Sequence, residues 1–302
     1  TPQGYEVIDG VIYAKDWSAI IFNPSFPYRF AHMLLASGLT ASFLIAGLSA
    51  YRIFKGDNKI APKLALKTAT YTAAVLIPLQ ILAGDMHGLN TLEHQPQKIA
   101  AMEGVWHTER GAPLLLFAIP DAENKTNHFE IAIPNMASFI LTHDANGEIK
   151  GLNEFEGEHP PVVPVFYSFR VMVGMGMLML FAAWCGAYWL FRKDALPEWL
   201  TKVFIGMSFS GWVATLAGWY VTEVGRQPYL VSGVLTTQDA VTGLPPANIA
   251  MSFSLYAALY VVLLIAYIRT LTLMCRKSVG IEEISAEERA QAKQPLSPIQ
   301  AN

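Results

Sequence analysis

AHMLLASGLTASFLIAGLSAY, residues Ala31–Tyr51, runs through 21 positions without a single Asp, Glu, Lys or Arg. An α-helix rises 1.5 Å per residue, so crossing a hydrocarbon layer of about 30 Å takes roughly 20 apolar residues. Four more charge-free stretches follow, Thr68–Gly84, Val171–Phe191, Val203–Thr222 and Ala247–Ile268. Thr68–Gly84 is at the short end and holds Pro78. A buried core helix of a large soluble protein could account for one such segment. Five in 302 residues predict an all-α fold, a polytopic transmembrane helix bundle of five spans.

Composition agrees. The chain is 53% hydrophobic and 15% charged, where soluble domains carry about 25% charged residues. A net charge of -3 and the lack of a basic run argue against nucleic acid as a partner. Two cysteines, Cys185 and Cys275, exclude a disulfide framework, and no CxxC zinc pattern occurs.

Lys and Arg in short loops set orientation. Arg52, Lys55, Lys59, Lys63 and Lys67 cluster between the first two spans, against Asp57 alone. Arg192, Lys193 and Lys202 lie between the third and fourth spans, and Arg269, Arg276 and Lys277 follow the fifth. Alternation puts all three regions on one side, which is then cytoplasmic. The expected organisation is a periplasmic segment (1–30), two spans with their cytoplasmic loop (31–84), a long periplasmic loop (85–164), three spans (165–275) and a cytoplasmic tail (276–302).

The long outer loop holds His87, His94, His107, His128, His143 and His159. Loops of such length are usually functional or disordered. Within it QKIAAMEGVW (Gln97–Trp106) reads as a short helix with Ile99, Met102 and Val105–Trp106 on one face, and Phe129–Ile133 as a short strand. Residues Thr1–Asn23 read as a loop that has just left a membrane, with none of the features of a signal peptide. A fragment of a longer protein, or a processed one, is the expectation.

Ionisable and metal-ligating groups in membrane spans are costly and so point to function. His32, Met172 and Glu223 are far apart in sequence, yet the topology sets all three at outer span ends. Imidazole and thioether form a known haem-iron ligand pair. Equally, a His at a span end can be an interfacial residue, a Met can be packing, and Glu223 can pair with Arg226. By themselves Lys98 and Glu103 read as a solvated helix face.

RFAHMLLASGLTASFLIAG (Arg29–Gly47), GD (Gly84–Asp85) followed by QKIAAMEGVW, FRVMVGMGMLML (Phe169–Leu180) and GWYVTEVGRQP (Gly218–Pro228) occur in this order. Together they closely resemble subunit I of the cytochrome bd quinol oxidases. IPDAENKTNHFEIAIPN (Ile119–Asn135) is similar to that family's outer loop, and the compact connection resembles its short-loop, cyanide-insensitive branch. The resemblance implies His32 and Met172 as axial ligands of a low-spin haem b, with Arg170 beside it, and Glu223 as ligand of a high-spin haem b. It implies Trp219 between haems, Arg226 and Gln227 in the adjoining GRQP, and Lys98 and Glu103 as the quinol-loop pair. It further implies a ubiquinol or menaquinol substrate, a subunit II, possibly a small accessory subunit, and multi-pass residence among the lipids of a bacterial inner membrane. The family's earlier helices, with the haem d ligand, have no counterpart here, so a haem d site would be incomplete. His87 departs from the family's pattern and receives no role.

The expected function is that of a haem-binding subunit of a terminal oxidase, a quinol:dioxygen oxidoreductase whose turnover generates proton motive force. Alternatives are a membrane b-type cytochrome that passes quinol electrons to a partner, and a transporter, which would place charges at mid-membrane.

Overall fold

The computed structural model describes residues 1–57 and 59–276. Its frame is a set of long helices, as the apolar stretches predict. A hairpin of β1 (Tyr5–Ile8) and β2 (Val11–Ala14) and a short α1 (Trp17–Ile21) come first, so the expected N-terminal loop is folded. Asp16 caps α1 by accepting from the Ser18 and Ala19 amides. The spans α2 (Phe26–Phe54) and α3 (Ile60–His94) follow.

A compact region between the second and third spans comes next. It comprises α4 (Pro96–Glu103), β3 (Glu109–Arg110), β4 (Leu114–Asp121), β5 (Thr126–Ile133), α5 (Met136–Thr142) and β6 (Glu148–Ile149). Strands β4 and β5 form a bulged antiparallel hairpin, and β3 pairs with β6. The chain re-enters the bundle in α6 (Val162–Lys193), α7 (Glu198–Gly206) and α8 (Ser210–Val224). A small ladder of β7 (Tyr229–Val231) and β8 (Leu235–Thr236) precedes α9 (Pro246–Arg276).

All five predicted stretches fall in helices, with two differences. The fourth is not one straight span: α7 and α8 meet at 41° across Met207–Phe209. The break has a local cause. Gly206 weakens the helix, and the Ser208 hydroxyl donates to the Ile205 carbonyl at 2.7 Å, a side-chain bond that competes with the backbone ladder. The bend also lets α2 come close, since a Cβ at Gly47 would stand 2.7 Å from the Phe204 carbonyl oxygen. Secondly, α3 runs past Gly84 to His94, so His87 and His94 ride on a helix rather than in the loop. Pro78 does not end it.

Membrane helices gain little from burying apolar surface against lipid and associate through close contact of small residues. The bundle core follows that rule. Ala46, Ala50, Ala69, Ala73, Ala182 and Ala183 surround Phe43 and Phe204, whose rings stack with centroids 6.0 Å apart. At one end Lys67 pairs with Asp194 at 2.7 Å, and the Lys202 ammonium stands 5.8 Å from the Phe54 ring. The basic loops after the first and third spans therefore share an end.

A second core lies at the opposite end. Ile99, Met102, Val105 and Trp106 pack with Ala137, Ile149, Leu152, Val165 and Val221. It joins this inter-span region to α6 and α8. Helix α9 stands apart, exposed along its described length, with its Tyr267 ring 6.2 Å from Trp212. The predicted tail from Lys277 onward lies outside the described residues.

Candidate haem and quinol site

The short helix α4 is the centre of the candidate site. Pro96 opens it, with a fixed φ suited to a first helical turn. Gly104, at φ 71, closes it in a left-handed turn that favours glycine. Trp106 then donates from its ring nitrogen to Asn127 at 2.9 Å, and Asn127 donates to the Gly104 carbonyl, so strand β5 braces the turn. Ile99, Ala100, Ala101 and Met102 are all buried. Lys98 and Glu103 go down with them, each 5% exposed. The solvated-face reading of this pair does not hold.

Their surroundings differ. The Lys98 stem packs at Gly225, just past the end of α8, where a Cβ would stand 3.2 Å from it. Its ammonium lies in the fields of Arg29, Arg226 and Glu223. Burial, and then repulsion from Arg29 and Arg226, lower its pKa to about 7, against the attraction of Glu223. Glu223 is bonded to Arg226 one turn on. This corner thus holds three cations and one carboxylate, with the Nε atoms of Arg29 and Arg226 buried and unpartnered. A surplus of buried positive charge is costly unless an anion meets it.

Glu103 faces Arg170 of α6 instead, with Nη2 3.6 Å from Oε2. Arg170 also donates from Nη1 to the Met102 and Phe166 carbonyls and lies over the Phe166 ring, 3.4 Å from its centroid. Burial raises the Glu103 pKa, and the guanidinium opposes that.

His32 is set on α2 beside α3. Gly84 leaves room for its ring, since a Cβ there would stand 3.2 Å from Cε1. Nε2 lies 3.1 Å from the Gln80 amide nitrogen, while Nδ1 is buried without a partner. The ring of His87 is near, with centroids 5.7 Å apart. Sequence reasoning gave His87 no role and placed it in a loop. The signal that could have found it was the i, i+7 spacing of Gln80 and His87 on a continued helix.

Met172 lies on α6 against α8, where a Cβ at Gly218 would come within 2.9 Å of its sulfur. His32 and Met172 lie on different helices, α2 and α6. Trp219 is 59% exposed and meets Tyr220 edge-on. Gln227 accepts from Thr237 at 2.7 Å, outside the buried cluster. The structure therefore brings Lys98, Glu223, Arg226 and Arg29 together, and Glu103 with Arg170. Trp219 and Gln227 lie at the margin.

Among the described residues no group of three His, Cys, Asp or Glu could cage a metal ion. Haem asks for less, since its porphyrin supplies the equatorial nitrogens and the protein only the axial atoms. Observed features fit it: an orphaned buried imidazole nitrogen on His32, a thioether seated at a glycine, and surplus cations suited to the carboxylates that haem carries.

Long helices with a buried cation cluster at one end define a polytopic membrane protein with an ionisable site at one membrane face. Residues 1–279 match the family model of cytochrome bd terminal oxidase subunit I, and the chain belongs to that family. It is 31% identical over 277 residues to the cytochrome bd ubiquinol oxidase subunit 1 of Bacillus subtilis, covering 87% of this chain and 59% of the relative. To the putative cytochrome bd menaquinol oxidase subunit I of the same organism it is 29% identical, covering 95% and 66%. The fold is that of the bd oxidase from Geobacillus thermodenitrificans, with a TM-score of 0.82, 31% identity, and 92% of this chain and 64% of that one covered. The chain thus spans about three fifths to two thirds of the length of these relatives.

Proposed function

We propose that this chain supplies the quinol-oxidising, haem-binding part of a terminal oxidase. The observation that carries the reading is the burial of Lys98 and Glu103 on α4, docked directly onto the helices that bear Met172 and Glu223. A solvated loop could not place an acid and a cation out of water beside those positions.

In this reading His32 and Met172 hold a low-spin haem b and Glu223 a high-spin haem b. A haem d site would need residues beyond this chain. Bound haem supplies one-electron redox chemistry. The remaining work belongs to side chains. Quinol loses two electrons and two protons on becoming quinone. Glu103, its pKa raised by burial, is suited to take a proton from a quinol hydroxyl and release it outward. Lys98 orients the quinol oxygen or an anionic group nearby. Trp219 lies on the helix between Met172's contact at Gly218 and Glu223. Arg226 holds the Glu223 carboxylate, with Gln227 beside it.

Two quinols and one dioxygen would give two quinones and two waters in the whole oxidase. With quinol protons released on the periplasmic side and dioxygen protons taken from the cytoplasm, turnover would charge the bacterial inner membrane. The periplasmic assignment of residues 85–164, the quinol type, and assembly with subunit II and a small accessory subunit are parts of the same proposal.

Met172→Ala tests it. In the assembled membrane complex the reduced-minus-oxidised spectrum should lose its low-spin haem b component. An unchanged low-spin spectrum would refute the ligand assignment.

A further inference from the structure

Gln80 is the sole amide side chain in the charge-free stretch Thr68–Gly84, and its sequence neighbours Leu79, Ile81 and Leu82 are exposed apolar residues of the same span. An amide in a hydrocarbon layer is costly unless something bonds it. Gln80 and Gly84 stand one turn apart on α3 and so share a face, and that face meets His32 of α2. The Gln80 amide nitrogen lies 3.1 Å from His32 Nε2. Among the described residues Gln80 is the one hydrogen-bond partner of that ring, and two atoms of the pair, Gln80 Oε1 and His32 Nδ1, are buried and unpartnered.

A neutral imidazole has one donor and one acceptor nitrogen. If the amide nitrogen donates to Nε2, the ring proton sits on Nδ1, where nothing accepts it, and Nδ1 has no lone pair to offer a metal. Turned end for end, the amide keeps its shape and sets Oε1 against Nε2. Nε2 then carries the proton and donates it, and Nδ1 keeps its lone pair. One end of the amide is unmet in either arrangement, but the ring proton is met only in the second. We propose that Gln80 is the positioning residue of His32: its side-chain oxygen accepts the Nε2 proton, which fixes the ring and leaves Nδ1 as the atom able to ligate iron. This deepens the proposed function and rests on its assignment of His32. A metal-bound imidazole ordinarily gives its second N–H to such an acceptor, which sets the tautomer and strengthens the ring as an electron donor. Stronger donation favours the oxidised metal, so the contact with Gln80 lowers the midpoint potential of a haem held there.

The test is a redox titration of the low-spin haem spectrum in the intact membrane complex. Gln80→Leu keeps much of the shape and removes both polar ends, so the midpoint should shift upward. Low-spin haem should also be held about 10-fold less tightly, read as its transfer to a haem-scavenging apoprotein. Gln80→Glu supplies a stronger acceptor and should shift the midpoint downward. Opposite shifts are the signature of a hydrogen bond to the ligand, since a side chain that only filled space would leave the midpoint in place in both variants. Gln80→Leu, apolar in an apolar span, carries the test alone if Gln80→Glu fails to assemble. An unshifted midpoint in Gln80→Leu, or shifts of the same sign in the two variants, would overturn the proposal. That outcome is separable from failure of the ligand assignment, in which His32→Ala or Met172→Ala would retain the low-spin signal.

Discussion

The two ends of this bundle are stabilised by different means. In the half around Phe43 and Phe204, alanines and glycines let α2, α3, α6 and α7 approach closely, and among the described residues the buried cluster holds no Asp, Glu, Lys, Arg or His. Its unpartnered polar atoms are hydroxyls, on Thr70 and Ser210. In the half around α4, Arg29, His32, Glu103, Arg170 and Arg226 each leave a buried polar atom without a partner. An unmet hydroxyl costs little beside an unmet charge. Unmet polarity is thus slight in the first half and concentrated as buried charge around α4.

Several measurements test that contrast, and the largest effect is expected from Met172→Ala, which should abolish the low-spin haem b spectrum. Removing haem altogether, by expression under haem limitation, should come next. Backbone amides of Lys98–Trp106 should lose hydrogen-exchange protection, while those of Phe43–Ala50 and Ala69–Ile77 keep theirs. Equal loss in both regions would mean that the two halves are not independent. Phe204→Ala should do the reverse. It empties a fully buried site, costing about 3 kcal/mol of stability in detergent unfolding, with the haem spectrum of the surviving folded fraction unchanged.

A smaller effect concerns pH. Lys98 has its pKa lowered to about 7 in the folded protein, against about 10.4 when exposed. Between those values the unfolded chain binds the proton and the folded chain does not, so stability should rise with pH across that window. Below it the full penalty of a buried cation applies. Lys98→Met should flatten the slope in haem-free protein, as followed by unfolding at a series of pH values. Smallest of all is Asp121→Ala. Asp121 accepts from Asn124 and His128 at the tip of the β4–β5 hairpin, which hold its pKa down at about 2. Its contribution is present above the usual carboxylate pKa and fades as pH falls toward 2. Local fraying of the hairpin, seen by exchange at Thr126–His128, is the expected readout.

The five spans were legible because 17 to 22 charge-free residues have few other ways to be buried. The basic end was legible for a similar reason, and Lys67–Asp194 and Lys202 at Phe54 realise it. Local pattern was enough for α4 and for the β5 strand. It was insufficient at Gly206–Ser208, where the apolar run continues through a bend made by one glycine and one hydroxyl. It also failed at Gly84, where the predicted span ended ten residues before the helix does. Polar residues near a membrane face end a hydropathy signal without ending a helix.

Residue order was enough to read the membrane class, the helices and, through motifs in a particular order, the family. Those follow from local hydrophobicity and from the identity of short segments. Only the packing of the helices set that Lys98 and Glu103 are buried rather than solvated, that Arg170 faces Glu103, and that His87 stands beside His32. Each depends on which helix ends meet, since burial of an eight-residue amphiphilic helix is set by the surface that receives it. The physical reason is that a charged side chain reads the same in sequence whether water or a neighbouring helix surrounds it.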